Sequence, residues 1–135
     1  MDGISEILAT YNCVSLDEKI QFELDGVVEK EIKQAYCIEN LEFCVSCMDY
    51  TTLKVSDTEE SVKNFTADLL KKLKKFNLRD VAAVCVFSNY AGIVREGLKG
   101  TEIQTAVVAG NFPNSQTFTE IKLAECKMAI GAGAQ

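Results

Sequence analysis

Three nearly continuous apolar runs alternate with amphipathic segments in the second part of the chain. They cover residues 43–48 (FCVSCM), 81–87 (VAAVCVF) and 104–110 (QTAVVAG), and are rich in Val, Ala or Cys. Such runs are typical of strands that are buried on both faces, as in parallel sheets. Strands that alternate with helices indicate right-handed crossovers, so the pattern predicts an α/β protein with an open doubly wound sheet or a barrel.

The segments between the runs predict the crossover helices. The first begins with Ser56 and Glu59 at capping-box spacing. The predicted apolar face of this helix consists of Val62, Phe65, Leu69, Leu73 and Phe76. A second helix is predicted to end at Gly100 and a third at Gly131, because glycine commonly terminates helices.

Residues 1–40 predict a separate helical N-terminal extension. Acidic and basic residues alternate along it, and its apolar positions form only a narrow side. None of its residues has evident chemistry, so we expect it to serve packing or oligomer contacts. Residues 41–135 then form the α/β domain.

Glycine-rich phosphate-binding motifs are missing after all three runs. Neither G-x-G-x-x-G nor G-x-x-x-x-G-K-[ST] follows a predicted strand. The nucleotide-binding versions of the doubly wound fold depend on such loops. The sequence therefore favours a barrel.

Composition and charge exclude several classes of function. The 135 residues are 47% apolar, enough for one domain with a sizeable core. With 20 acidic and 14 basic side chains the net charge is −6, the wrong sign for broad contact with nucleic acid. The longest apolar stretch, residues 81–87, is far shorter than the ~20 residues that cross a bilayer, and the acidic N-terminus lacks a secretory signal. We therefore expect a cytoplasmic protein with no nucleic-acid or membrane partner.

The sequence contains no histidine and six cysteines. Ser/His/Asp and Cys/His catalytic pairs are therefore excluded, and chemistry would fall to Cys, Lys, Asp or Glu. Cys44 and Cys47 form a C-x-x-C motif, which suggests a redox pair or half of a zinc site. On the predicted first strand, however, residues three apart point to opposite faces, so these thiols cannot converge. We expect buried, reduced, structural cysteines and no metal site.

The stretch CMDYTTLK, residues 47–54, places a carboxylate directly after the first run. Asp49 thus falls at the C-terminal end of the predicted strand, and Cys85 and the loop at residues 110–117 (GNFPNSQT) are predicted at the same end of the next two strands. In βα barrels the active site is assembled at this end. The pattern predicts that Asp49 belongs to a polar pocket, and a solvated turn carboxylate is the alternative.

Three longer stretches resemble the N-terminal part of deoxyribose-phosphate aldolase. CMDYTTLKVSDTEESV, VAAVCVFSNYAGIV and AGNFPNSQTFTEIKLAECKMAIGAGA occur in the family's order and spacing, over roughly residues 44–135. The resemblance implies a partial (β/α)8 barrel made of the first three βα units. It also implies a carbon-carbon lyase of deoxyribonucleotide catabolism, which reversibly cleaves 2-deoxy-D-ribose 5-phosphate to acetaldehyde and D-glyceraldehyde 3-phosphate without a metal or cofactor.

The resemblance also assigns residues to the substrate pocket. Asp49, Thr51 and Leu53 match family positions that line the pocket on the first strand and the loop after it. Cys85 matches the pocket cysteine of the second strand, and Phe112 matches the aromatic residue of the N-F-P loop. These residues are expected to shape the pocket, whereas the covalent step of the family belongs to another group.

The family forms a Schiff base through a lysine inside the barrel, as in other class I aldolases. Such a lysine must be neutral to attack a carbonyl, and none of the lysines here falls on a predicted strand. We therefore expect no catalytic residue within this chain and place the reactive lysine beyond Gln135, so the chain alone is predicted to be inactive. We also expect it to self-associate or to need a complementary C-terminal part, because three strands cannot close a barrel.

A second function remains open from the sequence. The same residues are consistent with a non-catalytic βα interaction module derived from the barrel. In the complete enzyme the partners would be a small sugar phosphate and an aldehyde.

Overall fold

The computed structural model describes residues 3–10 and 13–135, without the side chains of Leu8 and of residues 13–17. The chain divides into two compact units, with the boundary between Leu41 and Glu42. The described part of the first unit is helical and consists of α1 (Gly3–Thr10), α2 (Cys13–Val27), a π-helical turn (Val28–Ile32), α3 (Lys33–Ala35) and the first residues of α4 (Ile38–Ser46). Every residue of this unit whose side chain is described is exposed.

The second unit contains three parallel strands in the order β1-β2-β3. After α4, its elements are β1 (Asp49–Thr51), α5 (Glu59–Phe76), β2 (Ala83–Phe87), a 3-10 turn (Ser88–Tyr90), α6 (Ala91–Gly97), β3 (Gln104–Val108) and α7 (Thr119–Ala132). The α/β class and the parallel sheet predicted from the sequence are confirmed. Strands β2 and β3 lie within the apolar runs that predicted them.

The prediction of a first strand over residues 43–48 is wrong. Residues up to Ser46 belong to α4, and the strand begins only at Asp49. Ile38, Leu41 and Val45 recur at the spacing of a helix, and a short apolar run cannot be assigned to helix or strand by its pattern alone. The partly buried side chain of Val45 packs against the core of the second unit.

The two faces of the sheet differ in their surroundings. Side chains alternate along a strand, and in register Thr51 lies beside Cys85, which lies beside Ala106. One face, the open face, carries Asp49, Thr51, Ala83, Cys85, Phe87, Gln104, Ala106 and Val108. The other, the covered face, carries Tyr50, Val84, Val86, Thr105 and Val107. Helices α5 and α6 pack against the covered face.

The core of this unit lies between the covered face and these helices. It consists of Val62, Leu69, Leu73, Val81, Val84, Val86, Val94, Leu98 and Ile103. Of the predicted apolar face of α5, three residues belong to this core and Phe65 is partly buried. Phe76, the last residue of α5, is 61% exposed, so its predicted burial is wrong.

The N-cap of α5 lies two residues after the predicted cap, Ser56. Thr58 is the N-cap, and its hydroxyl accepts a hydrogen bond from the Ser61 amide at 3.1 Å. The Ser61 hydroxyl in turn accepts one from the Thr58 amide at 2.8 Å. The predicted pair of Ser56 and Glu59 is wrong because residues 54–57 form a turn, closed by the Asp57 amide and the Lys54 carbonyl at 2.9 Å.

The C-terminal helices also end at other glycines than predicted. Helix α6 ends at Gly97, and Gly100 lies in the following turn with φ +84°. Gly131 lies inside α7, which is capped by Gly133 at φ +110°. A left-handed backbone favours glycine, because glycine has no Cβ. The glycine that ends a helix is therefore the one in this conformation, which the sequence alone does not identify.

Within residues 3–10 and 13–135, helices long and apolar enough to span a membrane are absent.

Candidate functional site

The first strand pair brings three of the predicted pocket residues together on the open face. Thr51 lies directly beside Cys85, and Asp49 lies two residues earlier on the same side of β1. Asp49 and Thr51 are exposed, whereas Cys85 is half-buried. A carboxylate, a hydroxyl and a thiol thus share one patch of the sheet.

The environment of Cys85 keeps its thiol protonated. Burial raises the pKa of the Cys85 thiol above its ordinary value, and the nearby negative charge of Asp49 raises it further. A hydrogen bond with the Thr51 side chain partly offsets these effects. Because the thiolate is the nucleophilic form, Cys85 at neutral pH is suited to a pocket wall rather than to covalent chemistry.

The predicted location of this cluster needs correction. Asp49 is the first residue of β1, not a residue after the strand, and Cys85 is the central residue of β2. The two residues therefore share a face of the sheet, whereas the sequence pattern placed them together at its C-terminal end. The error for Asp49 follows from assigning residues 43–48 to a strand, and that for Cys85 from extending the second strand back to residue 81.

The loop after β1 is fixed by a carboxylate that the sequence did not single out. Asp57 accepts hydrogen bonds from the Thr52 hydroxyl and the Lys54 amide, both at 2.9 Å. The Tyr90 hydroxyl donates to the Asp57 carbonyl at 2.6 Å. Leu53, the fourth predicted pocket residue, is half-buried within this fixed loop. An aspartate in a short polar turn was the only sequence signal for this anchor.

Phe112 lies in a different place from the other predicted pocket residues. It is half exposed and lines a cavity of about 370 Å³ beyond the C-terminal ends of β2 and β3. The cavity is lined by Phe87, Val108, Asn111, Phe112, Thr117, Ile121 and Glu125. This is the end of the sheet at which the sequence predicted a pocket, but of the five predicted residues only Phe112 lines the cavity.

Glu125 of α7 is a second carboxylate, which lies within a stretch that carries the family resemblance but to which the sequence assigned no role. Its side chain accepts a hydrogen bond from the Ser88 hydroxyl at 2.8 Å and one from the Asn111 amide at 3.0 Å. The Asn111 amide is the main cause of a lowered pKa of the Glu125 carboxyl, and the Ser88 hydroxyl and the Gly110 amide add to it against a smaller effect of burial. Glu125 is therefore ionised at neutral pH.

The prediction that the cysteines are buried is wrong, whereas the prediction that they are unpaired holds for those whose side chains are described. Cys37, Cys44 and Cys47 are exposed and free, whereas Cys85 and Cys126 are partly buried and free. Cys44 lies in α4 and Cys47 in the turn after it, so the argument from strand geometry does not hold. The side chain of Cys13 lies outside the described residues. Across residues 3–10 and 13–135, groups of three or more Cys, Asp or Glu that could hold a metal are absent.

The lysines lie outside the three strands. All twelve lie on helices or in turns, and all but the half-buried Lys122 are exposed. A lysine amine attacks a carbonyl only in its neutral form, which burial or a neighbouring cation favours. The described lysines therefore lack the buried position that a Schiff-base nucleophile requires.

Comparison with known proteins identifies relatives for most of the chain. No family model matches it. A curated protein from Clostridium novyi named deoxyribose-phosphate aldolase is 41% identical over 87 residues, covering 64% of this chain and 36% of that protein. A Bos taurus protein of the same name is 33% identical over 128 residues, covering 84% of this chain and 38% of that protein.

Solved structures give the same result at the level of the fold. The structure of a tetrameric deoxyribose phosphate aldolase from Aeropyrum pernix superimposes with a TM-score of 0.54 at 26% identity, covering 69% of this chain and 36% of that one. The resemblance to deoxyribose-phosphate aldolases is therefore confirmed. The chain spans 36–38% of the length of these curated relatives, just over a third.

Proposed function

We propose that the second unit forms the first three βα units of a (β/α)8 barrel that cleaves 2-deoxy-D-ribose 5-phosphate. The observation that carries this proposal is the cluster of Asp49, Thr51 and Cys85 on a sheet face that α5 and α6 leave uncovered. In a barrel the helices cover one face of the sheet and the other face lines the interior. The names of the relatives supply the substrate, and the parallel strand order supports the architecture.

In this proposal the described residues shape the pocket. The protonated thiol of Cys85 contributes a compact and weakly polar wall, and Asp49 contributes a negative charge near the reacting groups. Thr51 and Leu53 are proposed to complete the wall on the β1 side, and Phe112 to contribute from the separate cavity beyond the C-terminal ends of β2 and β3. Asp49 should affect proton transfer or substrate orientation without forming a covalent bond itself.

The covalent step is proposed to belong to a lysine outside these 135 residues. The neutral amine of that lysine would add to the carbonyl carbon, and loss of water would give the Schiff base from which the carbon-carbon bond is cleaved. The placement of all twelve lysines on helices and turns supports this division of roles.

The edge of β3 is the proposed site at which the rest of the barrel joins. The Gln104 amide donates to the Ala82 carbonyl at 3.0 Å, so the alternate backbone groups of Thr105 and Val107 point away from β2. The Gln135 amide already donates to the Thr105 carbonyl at 2.9 Å. A groove of about 200 Å³ follows this edge, and the buried Thr105 hydroxyl lacks a hydrogen-bond partner among the described residues. Gln135 thus already occupies the backbone of Thr105, whose amide donates to the Gln135 side-chain oxygen at 3.4 Å. A complementary C-terminal part or a second copy would pair with the remaining backbone groups at Val107 and fill this groove.

Combining the chain with a C-terminal aldolase segment tests the proposal. We would mix the 135-residue chain with the segment of the Clostridium novyi aldolase that follows its matching region, and measure cleavage of 2-deoxy-D-ribose 5-phosphate. We expect no turnover from the chain alone and measurable turnover from the mixture. Borohydride trapping with acetaldehyde should place the ethyl adduct on the added segment, and a site-specific adduct on the 135-residue chain with turnover would overturn the division of roles.

A matched pair of variants in the same mixture distinguishes a pocket residue from a residue outside the pocket. Asp49→Ala should lower turnover but keep covalent trapping, because the lysine would still be present. Asp68→Ala, at an exposed position of α5, should leave both unchanged. Loss of trapping in Asp49→Ala would show that Asp49 has another role.

A non-catalytic interaction module is the second candidate. The edge of β3 at Val107, which has no partner strand among the described residues, favours it, because an open edge binds another strand whether or not catalysis follows. A mixture that forms a stable complex without turnover would support this module over the aldolase.

A further inference from the structure

The carboxylate of Glu125 connects the ends of two strands to one helix. Ser88 directly follows β2, and Asn111 lies three residues after β3, yet both donate hydrogen bonds to the same side chain of α7. Their two bonds reach different oxygen atoms, Oε1 and Oε2. Glu125 thus holds two separate segments in a fixed relation.

The segment that begins at Asn111 forms one wall of the cavity beyond these strands. Asn111 has φ +62°, a left-handed conformation that asparagine adopts more readily than most residues other than glycine. Its carbonyl accepts a hydrogen bond from the Ser115 amide at 2.8 Å, which closes the loop over residues 111–115. Phe112, next in the chain, lines the same cavity as Glu125.

We propose that Glu125 is a positioning residue that holds the loop of Asn111 and Phe112 against the end of β2 and so sets the shape of this cavity. Hydrogen bonds to an ionised acceptor are stronger than those between neutral groups, which suits them to fixing the conformation of an exposed loop. The proposal rests on the proposed function only for the identity of the substrate. The control of the loop by Glu125 is a property of this chain itself.

The ionisation of Glu125 provides a specific spectroscopic readout. In the described part of the chain, the groups that determine its lowered pKa are neutral: the Asn111 amide, the Ser88 hydroxyl and the Gly110 amide. The Asn111 amide proton should therefore shift in NMR spectra as Glu125 is protonated, at a pH below the ordinary range of a glutamate. A side chain that only fills space would not produce such a titration.

The experiment compares Glu125→Gln with Glu120→Gln in the 135-residue chain. Glu120 lies on the same helix and is exposed, so its replacement controls for the loss of a carboxylate from α7. We expect Glu125→Gln to abolish the titration of the Asn111 amide and to raise its hydrogen exchange about tenfold or more, as for a lost bond to a charged acceptor. Glu120→Gln should change neither.

A milder variant keeps the test decisive if Glu125→Gln unfolds the chain. Ser88→Ala removes one neutral donor and should move the titration midpoint upward, because it removes a group that lowers the pKa of Glu125. An Asn111 amide that does not titrate in the unmodified chain, or that exchanges equally in both glutamine variants, would overturn the proposal. Neither result depends on turnover, so the proposed function can fail separately.

Discussion

The two faces of the three-stranded sheet differ in burial and in the polarity of their side chains. On the covered face, Val84 and Val86 are fully buried against α5 and α6. On the open face, the intervening Cys85 is only half-buried and has Asp49 and Thr51 as neighbours. On β2, Val84 and Val86 therefore contribute to stability, whereas Cys85 between them belongs to the proposed site.

The difference shows why the candidate site can tolerate polar groups. A buried carboxylate without partners would be strongly unfavourable, so Asp49 is compatible only with the exposed side of the sheet. The covered face contains Thr105 as its buried polar residue, and the hydroxyl of Thr105 has no partner within residues 3–10 and 13–135. The stability of the second unit should thus depend on the covered face.

The largest expected effect is the loss of a large side chain from the covered side. Leu69 of α5 is 3% exposed, and Leu69→Ala should lower the free energy of unfolding by about 2–5 kcal/mol through lost contacts and a cavity. Leu123→Ala, at a position of α7 that is 54% exposed, should change it by less than ~0.5 kcal/mol. Urea unfolding followed by circular dichroism would measure both. Equal losses would show that the covered face does not dominate stability.

Adjacent substitutions on β2 give a finer comparison between the faces. Val84→Ala removes two buried methyl groups and should cost about 2 kcal/mol, at roughly 0.8 kcal/mol per group plus a cavity term. Cys85→Ala removes one half-buried sulfur atom and should cost less than ~1 kcal/mol. The same unfolding measurement applies. A larger cost for Cys85→Ala would mean that the open face is packed in solution.

The sequence was informative where a pattern extended over many residues. The runs at 81–87 and 104–110 predicted β2 and β3, and the helical period predicted that Val62, Leu69 and Leu73 of α5 face the core. These predictions succeeded because burial of a whole apolar side is a collective effect. Neighbouring positions in the pattern support one another.

Features that depend on a short segment, or on contacts between residues distant in the sequence, could not be predicted in this way. Residues 43–46 are apolar over too short a span to distinguish helix from strand, and that error displaced Asp49 from the start of β1 to its end. Val84 and Cys85 are both apolar in the sequence, so the face of each depends on where the helices pack. The bond between Glu125 and the Asn111 amide joins residues fourteen apart through a loop whose conformation the sequence did not predict.

The smallest expected effect concerns the acidity of the thiol on the open face. The charge of Asp49 contributes to the raised pKa of Cys85, so Asp49→Asn should lower that pKa. Thr51→Val keeps the branched shape but removes a hydrogen bond that favours the thiolate, so it should raise the pKa further. The pH dependence of iodoacetamide labelling of Cys85, followed by peptide mass spectrometry, would give both directions, with exposed Cys44 as an internal control. The same pKa shift links stability to pH. Because the folded state favours the neutral thiol, the contribution of Cys85 to stability is complete below the pKa of the unfolded thiol, and it is lost as the pH rises through the pKa of the folded thiol. Asp49→Asn should therefore shift this loss to lower pH, and an unchanged labelling midpoint would mean that Asp49 and Cys85 do not interact across the open face.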